Sequence, residues 1–188
     1  MDVIRKAFEK YHVPLSDESI GKLASTLTRK EYQREEIILK QGQISRHMYI
    51  VEKGIIRQFY YKDGRDITEH FSCEGDIAAC LESLFLNETT RLNVEAIEPV
   101  IIHLFDYEKF KALTYTHPEI LRLHQAILEY QLVVSQRKAD SWRFESSHER
   151  YNRFCKEYPL AARRASIAHI ASYLLMAPET LSRVRTGK

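Results

Sequence analysis

Cysteine is scarce in this sequence. The 188 residues include three cysteines, Cys73, Cys80 and Cys155, and no two of them form a Cys-x-x-Cys pair. Zinc sites and redox pairs commonly use that spacing, and an iron–sulfur site needs a cysteine cluster, so none of these centres is predicted. An odd number of cysteines is instead typical of buried thiols that form no disulfide.

Long apolar runs are also missing. The longest candidate, residues 100–105, is interrupted by His103, whereas a membrane-spanning helix needs about 20 apolar residues. Residues 1–12 mix charged with single apolar residues and lack the apolar centre of a signal peptide. We therefore expect a cytoplasmic protein with no membrane partner.

Motifs of metal sites and of catalysis are absent as well. The eight histidines include no His-x-His pair, and no nucleophile triad or phosphate-binding loop is recognisable. We therefore expect no catalytic residues, no metal ligands, no cofactor and no enzyme activity. The alternative is a β-roll that binds a small molecule or a metal in a cupin-like site, or that senses haem through His70, His103 or Cys73.

The charge is distributed unevenly along the chain. Residues 137–188 contain 11 Lys and Arg against 5 Asp and Glu, whereas residues 1–136 contain 17 against 21. A basic segment behind an acidic one favours a phosphate-rich partner for the C-terminal part. A solvated charged face is the other interpretation of the same charges.

Residues 1–28 predict two helices, and the second of them runs through Leu27. Residues 30–105 favour short strands. Glycines 42, 54, 64 and 75 separate short apolar segments at intervals of 12, 10 and 11 residues. Asp63-Gly64 predicts a hairpin turn. Regular short strands of this kind are typical of an antiparallel sandwich or barrel.

Residues 119–144 contain no Gly or Pro and predict one long helix. Its apolar stripe consists of Ile120, Leu123, Ile127, Tyr130 and Val134, and Leu121, Leu128 and Leu132 widen it. A helix that is apolar on two sides needs a second partner, so we expect a homodimer in which the stripe meets its symmetry mate. A single buried core helix is the alternative.

Residues 166–185 predict two short helices separated by Leu174-Leu175-Met176-Ala177, with the second starting at Pro178. A supporting helix followed by one with a polar outer face is the pattern of a helix-turn-helix. Arginine can donate to guanine, glutamate can accept from cytosine, and hydroxyls near a helix start can bind phosphate. The candidate DNA contacts are Ser166, Pro178, Glu179, Thr180, Ser182 and Arg183.

Several short motifs lie along the chain. They are EEII and QGQ around residue 40, YIVEKG at 49–54, EGD at 74–76, RYNRF at 150–154, YP at 158–159, and IASYL and PETLSRVR near the C-terminus. Together they resemble the Crp–Fnr superfamily of bacterial transcription regulators, and the C-terminal motifs resemble its Bacteroidetes branch. The resemblance covers nearly the whole chain.

The resemblance implies an α+β fold with three parts. An antiparallel β-roll with flanking helices (a double-stranded, jelly-roll-like sensor domain similar to cyclic nucleotide-binding domains) would occupy residues 1–117. A dimerisation helix would follow at 118–146, and a small all-α helix-turn-helix domain at 147–188. The implied partners are double-stranded DNA with a pseudo-palindromic operator, a second copy of the chain through helix 119–144, and RNA polymerase.

The sequence departs from the family at the turn between the last two helices. The family usually has glycine where this chain has Leu175, which costs about 1–2 kcal/mol in a left-handed conformation. Ala177 replaces a common Ser or Thr cap, which costs about 1 kcal/mol. Because the sequence ends at Lys188, we also expect no β-wing after the recognition helix.

The effector site departs from the family too. Relatives that sense cyclic nucleotides are expected to use a Gly-Glu pair and an Arg-Ser pair, and the Gly and the Ser are missing here. The corresponding candidate pocket residues are Leu81, Glu82, Ser83, Arg91 and Leu92. We expect no binding of cyclic AMP, and the effector is unknown. A surface pair of Glu82 and Arg91 without any ligand is the alternative.

Overall fold

The computed structural model describes residues 2–186, so Met1, Gly187 and Lys188 of the sequence-based domains lie outside the described residues. The helices are α1 Asp2–Glu9, α2 Asp17–Ala24, α3 Leu81–Leu86, α4 Tyr107–Thr114, α5 Pro118–Phe144, α6 Ser147–Glu157, α7 Pro159–Arg164, α8 Ile167–Tyr173 and α9 Pro178–Thr186. The strands are β1 Leu27–Tyr32, β2 Ile37–Leu39, β3 His47–Lys53, β4 Ile56–Lys62, β5 Arg65–Ser72, β6 Ile77–Ala78, β7 Asn93–Ala96 and β8 Val100–Asp106. We call residues 2–117 the roll domain and residues 147–186 the C-terminal domain.

The strands form two antiparallel four-stranded sheets. Their orders are β1-β8-β3-β6 and β2-β7-β4-β5. Side chains of both sheets meet in one buried cluster, with Val51 and Ile102 from the first sheet and Ile56 and Val94 from the second. This arrangement confirms the predicted antiparallel β-roll within an α+β fold.

The β4–β5 hairpin follows the predicted turn. Asp63 and Gly64 have φ angles of 51° and 73°, so both central residues of the two-residue turn are left-handed. Such a turn matches the twist of the adjoining strands, and Asp-Gly is one of the sequences that favour it. The turn places β5 beside β4, and β5 also contacts the C-terminal domain.

One local prediction is wrong. Helix α2 ends at Ala24, and Leu27 pairs with Phe105 in the first sheet instead of continuing the helix. Helix α7, which begins at Pro159, was not among the predicted elements. Proline is equally suited to the first position of a new helix, where its missing N–H removes no hydrogen bond.

Helix α5 packs its predicted stripe against its own domain. Ile120, Leu123 and Ile127 are buried in the cluster formed with α1, α2, α4 and the first sheet. The Tyr130 ring packs edge-on against Tyr11, with centroids 5.5 Å apart. The prediction that this stripe meets a symmetry mate is therefore wrong, because the apolar face that was assigned to the dimer completes the core of the roll domain.

The C-terminal domain is joined to the roll domain by a shared apolar core. Phe71 of β5 lies among three aromatic rings of the C-terminal domain, at centroid distances of 5.7 Å to Phe154, 6.5 Å to Tyr158 and 5.6 Å to Tyr173. Cys73 of the roll domain is buried in the same cluster. We call this cluster the junction core.

Polar contacts surround the junction core. The backbone N–H of Thr68 donates to the Ser172 hydroxyl at 3.1 Å, and that hydroxyl donates to the Thr68 hydroxyl oxygen at 2.9 Å. Arg164 pairs with Glu74 at 2.9 Å and also with Glu98. These contacts fix α7 and α8 relative to the roll domain.

The turn after α8 is a Schellman motif with leucine in the left-handed position. Leu175 has a φ angle of 52°. Its N–H bonds to the carbonyl of Ser172 at 3.2 Å, and the N–H of Met176 bonds to the carbonyl of Ala171 at 3.0 Å. Glycine is the usual residue at this position because it lacks the Cβ that makes the conformation costly.

Replacing Leu175 by glycine should therefore stabilise the protein. Relief of the left-handed strain outweighs the added flexibility of the unfolded chain, so L175G should raise the free energy of unfolding in urea by about 1 kcal/mol. The neighbouring Leu174 is buried and right-handed. The control L174A should lower that free energy by about 2–5 kcal/mol. A lower stability of L175G would contradict the assignment of strain to this residue.

Candidate functional site

Helices α8 and α9 cross as a helix-turn-helix. Ala171 is 1% exposed, so a small side chain lies where the two helices approach each other. Ile170 and Leu181 are buried between them. Ile167 is 42% exposed because it lies in the first turn of α8, away from the junction core.

The candidate DNA contacts lie at the surface of this motif. Ser166 caps α8 by accepting a hydrogen bond from the N–H of His169 at 3.1 Å. Pro178 and Glu179 form the exposed first turn of α9. Thr180 is half-buried, whereas Ser182 and Arg183 are exposed.

One further cation on α9 was missing from the sequence-based set. Arg185 is exposed and lies in the last turn of the helix, two residues beyond Arg183. The charge asymmetry of the C-terminal segment was the signal that could have identified it. With Arg183 it gives α9 a cationic C-terminal half, opposite the acidic Glu179 at its start.

The five candidate effector residues do not converge on one pocket. Glu82 and Arg91 form an ion pair at 3.1 Å, and their side chains are 61% and 81% exposed. The buried Ser83 hydroxyl accepts from the N–H of Ser45 at 2.8 Å and donates to the carbonyl of Glu88 at 2.5 Å. Glu82 and Arg91 thus form the surface pair of the alternative interpretation.

The two leucines of the candidate set have separate surroundings. Leu92 is half-buried against the cluster between the sheets, and its N–H donates to the Thr90 hydroxyl at 3.0 Å. Leu81 lines a cavity that extends from α3 to the C-terminal domain. It is the one member of the candidate set along this cavity.

Two buried polar side chains lie inside the roll next to α3. Gln58 is 4% exposed, and its amide donates to the carbonyl of Ala79 at 3.1 Å and contacts the sulfur of Cys80 at 3.3 Å. Asn93 lies nearby on β7 and accepts from the N–H of Gln41 at 3.0 Å. Gln58 also lines the cavity that extends to the C-terminal domain.

The three residues named for haem ligation differ in their surroundings: the two histidines lie near carboxylates, and Cys73 is buried. His103 contacts the Glu52 carboxylate at 2.5 Å, and His70 lies 3.9 Å from the Glu69 carboxylate. Burial raises the pKa of the Cys73 thiol to about 12, so it is protonated at neutral pH. Residues 2–186 contain no group of three His, Cys, Asp or Glu side chains that could hold a metal ion. None of their helices is long and apolar enough to cross a membrane.

Comparisons with known proteins agree with this architecture. Residues 29–117 match the family model of the cyclic nucleotide-binding domain. No curated protein sequence matches the chain significantly. Among solved structures, FixK2 from Bradyrhizobium japonicum is 22% identical with a TM-score of 0.75, over 86% of this chain and 83% of that one.

Two other structures extend the likeness over most of the chain. The c-di-GMP-responsive global regulator CLP of Xanthomonas campestris is 16% identical with a TM-score of 0.70, over 92% of this chain and 91% of that one. The catabolite activator protein of Thermus thermophilus is 21% identical with a TM-score of 0.59, over 94% and 84%. Residues 29–117 therefore match the cyclic nucleotide-binding domain family, and the chain as a whole has the fold shared by these three solved structures.

Proposed function

We propose that this protein is a cytoplasmic transcription regulator that binds double-stranded DNA through α8 and α9. The observation that carries the proposal is the helix-turn-helix itself, in which α8 is held by the junction core and α9 exposes Glu179, Ser182 and Arg183. A recognition helix with polar residues on its free side is what entry into the major groove requires. RNA polymerase is the further partner that the family implies.

Arg183 is the residue that we assign to base recognition. Its exposed guanidinium can donate two hydrogen bonds to guanine, which is the commonest specific contact in the major groove. Arg163 is an exposed arginine outside α9 that bonds to the carbonyl of Pro159 at 3.1 Å. It provides a matched control of the same charge.

Replacing Arg183 by alanine should remove sequence discrimination. R183A should lose about 1–3 kcal/mol of affinity for the selected site and less for random DNA, because a base contact is lost in one complex only. R163A should weaken both complexes equally or not at all. The measurement is fluorescence anisotropy with a duplex selected from a random library. An equal loss on both duplexes in R183A would make Arg183 a phosphate contact, and salt-insensitive wild-type binding would contradict the proposed function.

The regulator acts as a homodimer through the leucines that widen the predicted stripe of α5, and not through the buried Ile120, Leu123 and Ile127. Leucines 121, 128 and 132 recur with Gln125, Ser135, Ala139 and Trp142 at alternating spacings of four and three residues. Leu121 is 41% exposed and Leu132 is 72% exposed. This heptad lies opposite Ile120, Leu123 and Ile127, so it is free to pack against a second copy.

A parallel pair of α5 helices suits the proposed DNA complex. In a two-fold dimer the same residues of both copies meet along the helix, and both C-terminal domains lie at the same end. Two recognition helices then bind half-sites about 34 Å apart, so the operator should be pseudo-palindromic. Gln125, a polar residue inside the heptad, favours a single register of the two helices.

A charge in the heptad should separate the copies. L128D places a carboxylate at the seam and should give a folded monomer, because a buried unpaired charge is strongly disfavoured. V133D, at an exposed position beside the seam, should remain dimeric. I127D should unfold instead of dissociating, because Ile127 is 3% exposed in the roll domain. Sedimentation of the wild type as a monomer at micromolar concentration would contradict the dimer.

The roll does not bind cyclic AMP in this proposal. A bound cyclic nucleotide needs an acceptor for the ribose hydroxyl and a cation for the phosphate, and Glu82 and Arg91 neutralise each other at the surface. Behind α3, the amide of the buried Gln58 is already bonded to the carbonyl of Ala79 and contacts the sulfur of Cys80. A phosphate that entered without a free charge partner would lose more in desolvation than it regained.

Calorimetric titration with cyclic AMP and cyclic GMP should therefore give no micromolar site. The variant R91Q should behave like the wild type, because Arg91 then has no ligand to lose. A micromolar site that disappears in R91Q would reverse this account and make Glu82 and Arg91 the nucleotide-binding pair.

A further inference from the structure

A cavity of about 210 Å³ lies where the roll domain, α5 and the C-terminal domain meet. Its wall includes Ser72 of β5, Val134 of α5 and Tyr173 of α8. From α3 it includes Leu81 only, whereas Glu82 and Arg91 lie outside it. We call it the junction cavity, because residues on both sides of the junction core form its wall.

The junction cavity is lined by four cationic side chains from α5, α6 and the segment that follows α1. They are Lys10 beyond α1, Arg137 and Lys138 of α5, and Arg153 of α6. Three of them have carboxylate partners, at 2.8 Å for Lys10 and Asp76, 2.7 Å for Lys138 and Glu69, and 3.1 Å for Arg153 and Glu157. Among residues 2–186, Arg137 has no carboxylate within ion-pair distance. Its positive charge is therefore available to an anionic ligand.

The apolar part of the wall is aromatic. Phe71, Tyr130, Tyr158 and Tyr173 contribute rings from the roll domain, α5 and the C-terminal domain. Aromatic rings favour offset or edge-on packing against another planar ring. The volume is below the range of about 300–1,000 Å³ that is typical of pockets for larger ligands. A ligand with one ring fits these walls better than a nucleotide.

We propose that the junction cavity binds a small aromatic carboxylate, with the carboxylate on Arg137 and the ring against the tyrosines. That this ligand is the effector of a transcription regulator rests on the proposed function. That the cavity binds the ligand does not. Because the wall combines residues of both domains, the ligand stabilises the arrangement in which the C-terminal domain is docked on β5. Whether the ligand increases or decreases DNA binding then depends on which arrangement, with the C-terminal domain docked on β5 or released from it, binds DNA more tightly.

Benzoate is the probe for this site, and the full chain is titrated by calorimetry in the absence of DNA. We expect saturable binding of one benzoate per chain. Benzyl alcohol, which keeps the ring and lacks the charge, should bind about tenfold more weakly. R137Q should weaken benzoate binding about tenfold, and R137K should retain part of it. R91Q should bind benzoate like the wild type, because Arg91 lies outside the cavity.

Three outcomes would overturn this proposal. They are the absence of saturable benzoate binding at millimolar concentration, equal binding of benzoate and benzyl alcohol, and loss of binding in R91Q but not in R137Q. Arg137 is exposed, so thermal unfolding should confirm that its variants remain folded. Failure of the wild type to bind DNA would overturn the proposed function and leave the result of this titration unaffected.

Discussion

The contact of Phe71 with the aromatic rings of the C-terminal domain is the interaction on which the other features depend. A unit of about 40 residues rarely buries enough apolar surface to fold alone. Here Phe71 supplies the ring that Phe154, Tyr158 and Tyr173 enclose. Each aromatic pair adds about 0.5–1.5 kcal/mol beyond the area that it buries. The helix-turn-helix is therefore held by a strand of the roll domain.

This dependence explains the polar contacts around the junction core. Arg57 is 3% exposed on β4 and bonds to Asp66 at 2.6 Å, to Glu95 at 2.5 Å and to Thr68 at 3.0 Å. Thr68 in turn bonds to Ser172 of α8. A chain of hydrogen bonds thus runs from the second sheet to the supporting helix of the motif. A change in the packing of β5 would therefore alter two contacts with α8, the ring contact of Phe71 with Tyr173 and the hydrogen bond of Thr68 with Ser172.

The sequence predicts the helices, strands and turns of this molecule better than it predicts which surfaces pack against one another. Turn residues such as Asp63 and Gly64 determine where strands end, because few residues adopt the required left-handed conformation. The left-handed Leu175 stands where the family that the sequence resembles usually has glycine. Periodicity shows that Ile120, Leu123 and Ile127 share one helix face. It does not show which surface covers that face, since core packing and dimer packing produce the same pattern.

The binding sites were harder to predict for the same reason. Glu82 and Arg91 were found by likeness to a family motif, and they meet each other at the surface instead of a pocket. Arg137 belongs to a long helix and Tyr173 to a short one, and only the tertiary fold brings them to one cavity. The exposed residues of α9 could be predicted from the sequence, because an amphipathic helix in a local motif turns its polar side toward solvent.

The C-terminal domain depends on Phe71 for its core, and hydrogen exchange of the α6 and α8 amides in F71A and the wild type measures this dependence. In F71A both helices should lose about 3–5 kcal/mol of protection, the usual effect of removing a buried phenylalanine ring. Unchanged protection in α6 and α8, with a loss confined to β5 and its neighbouring strand, would contradict it.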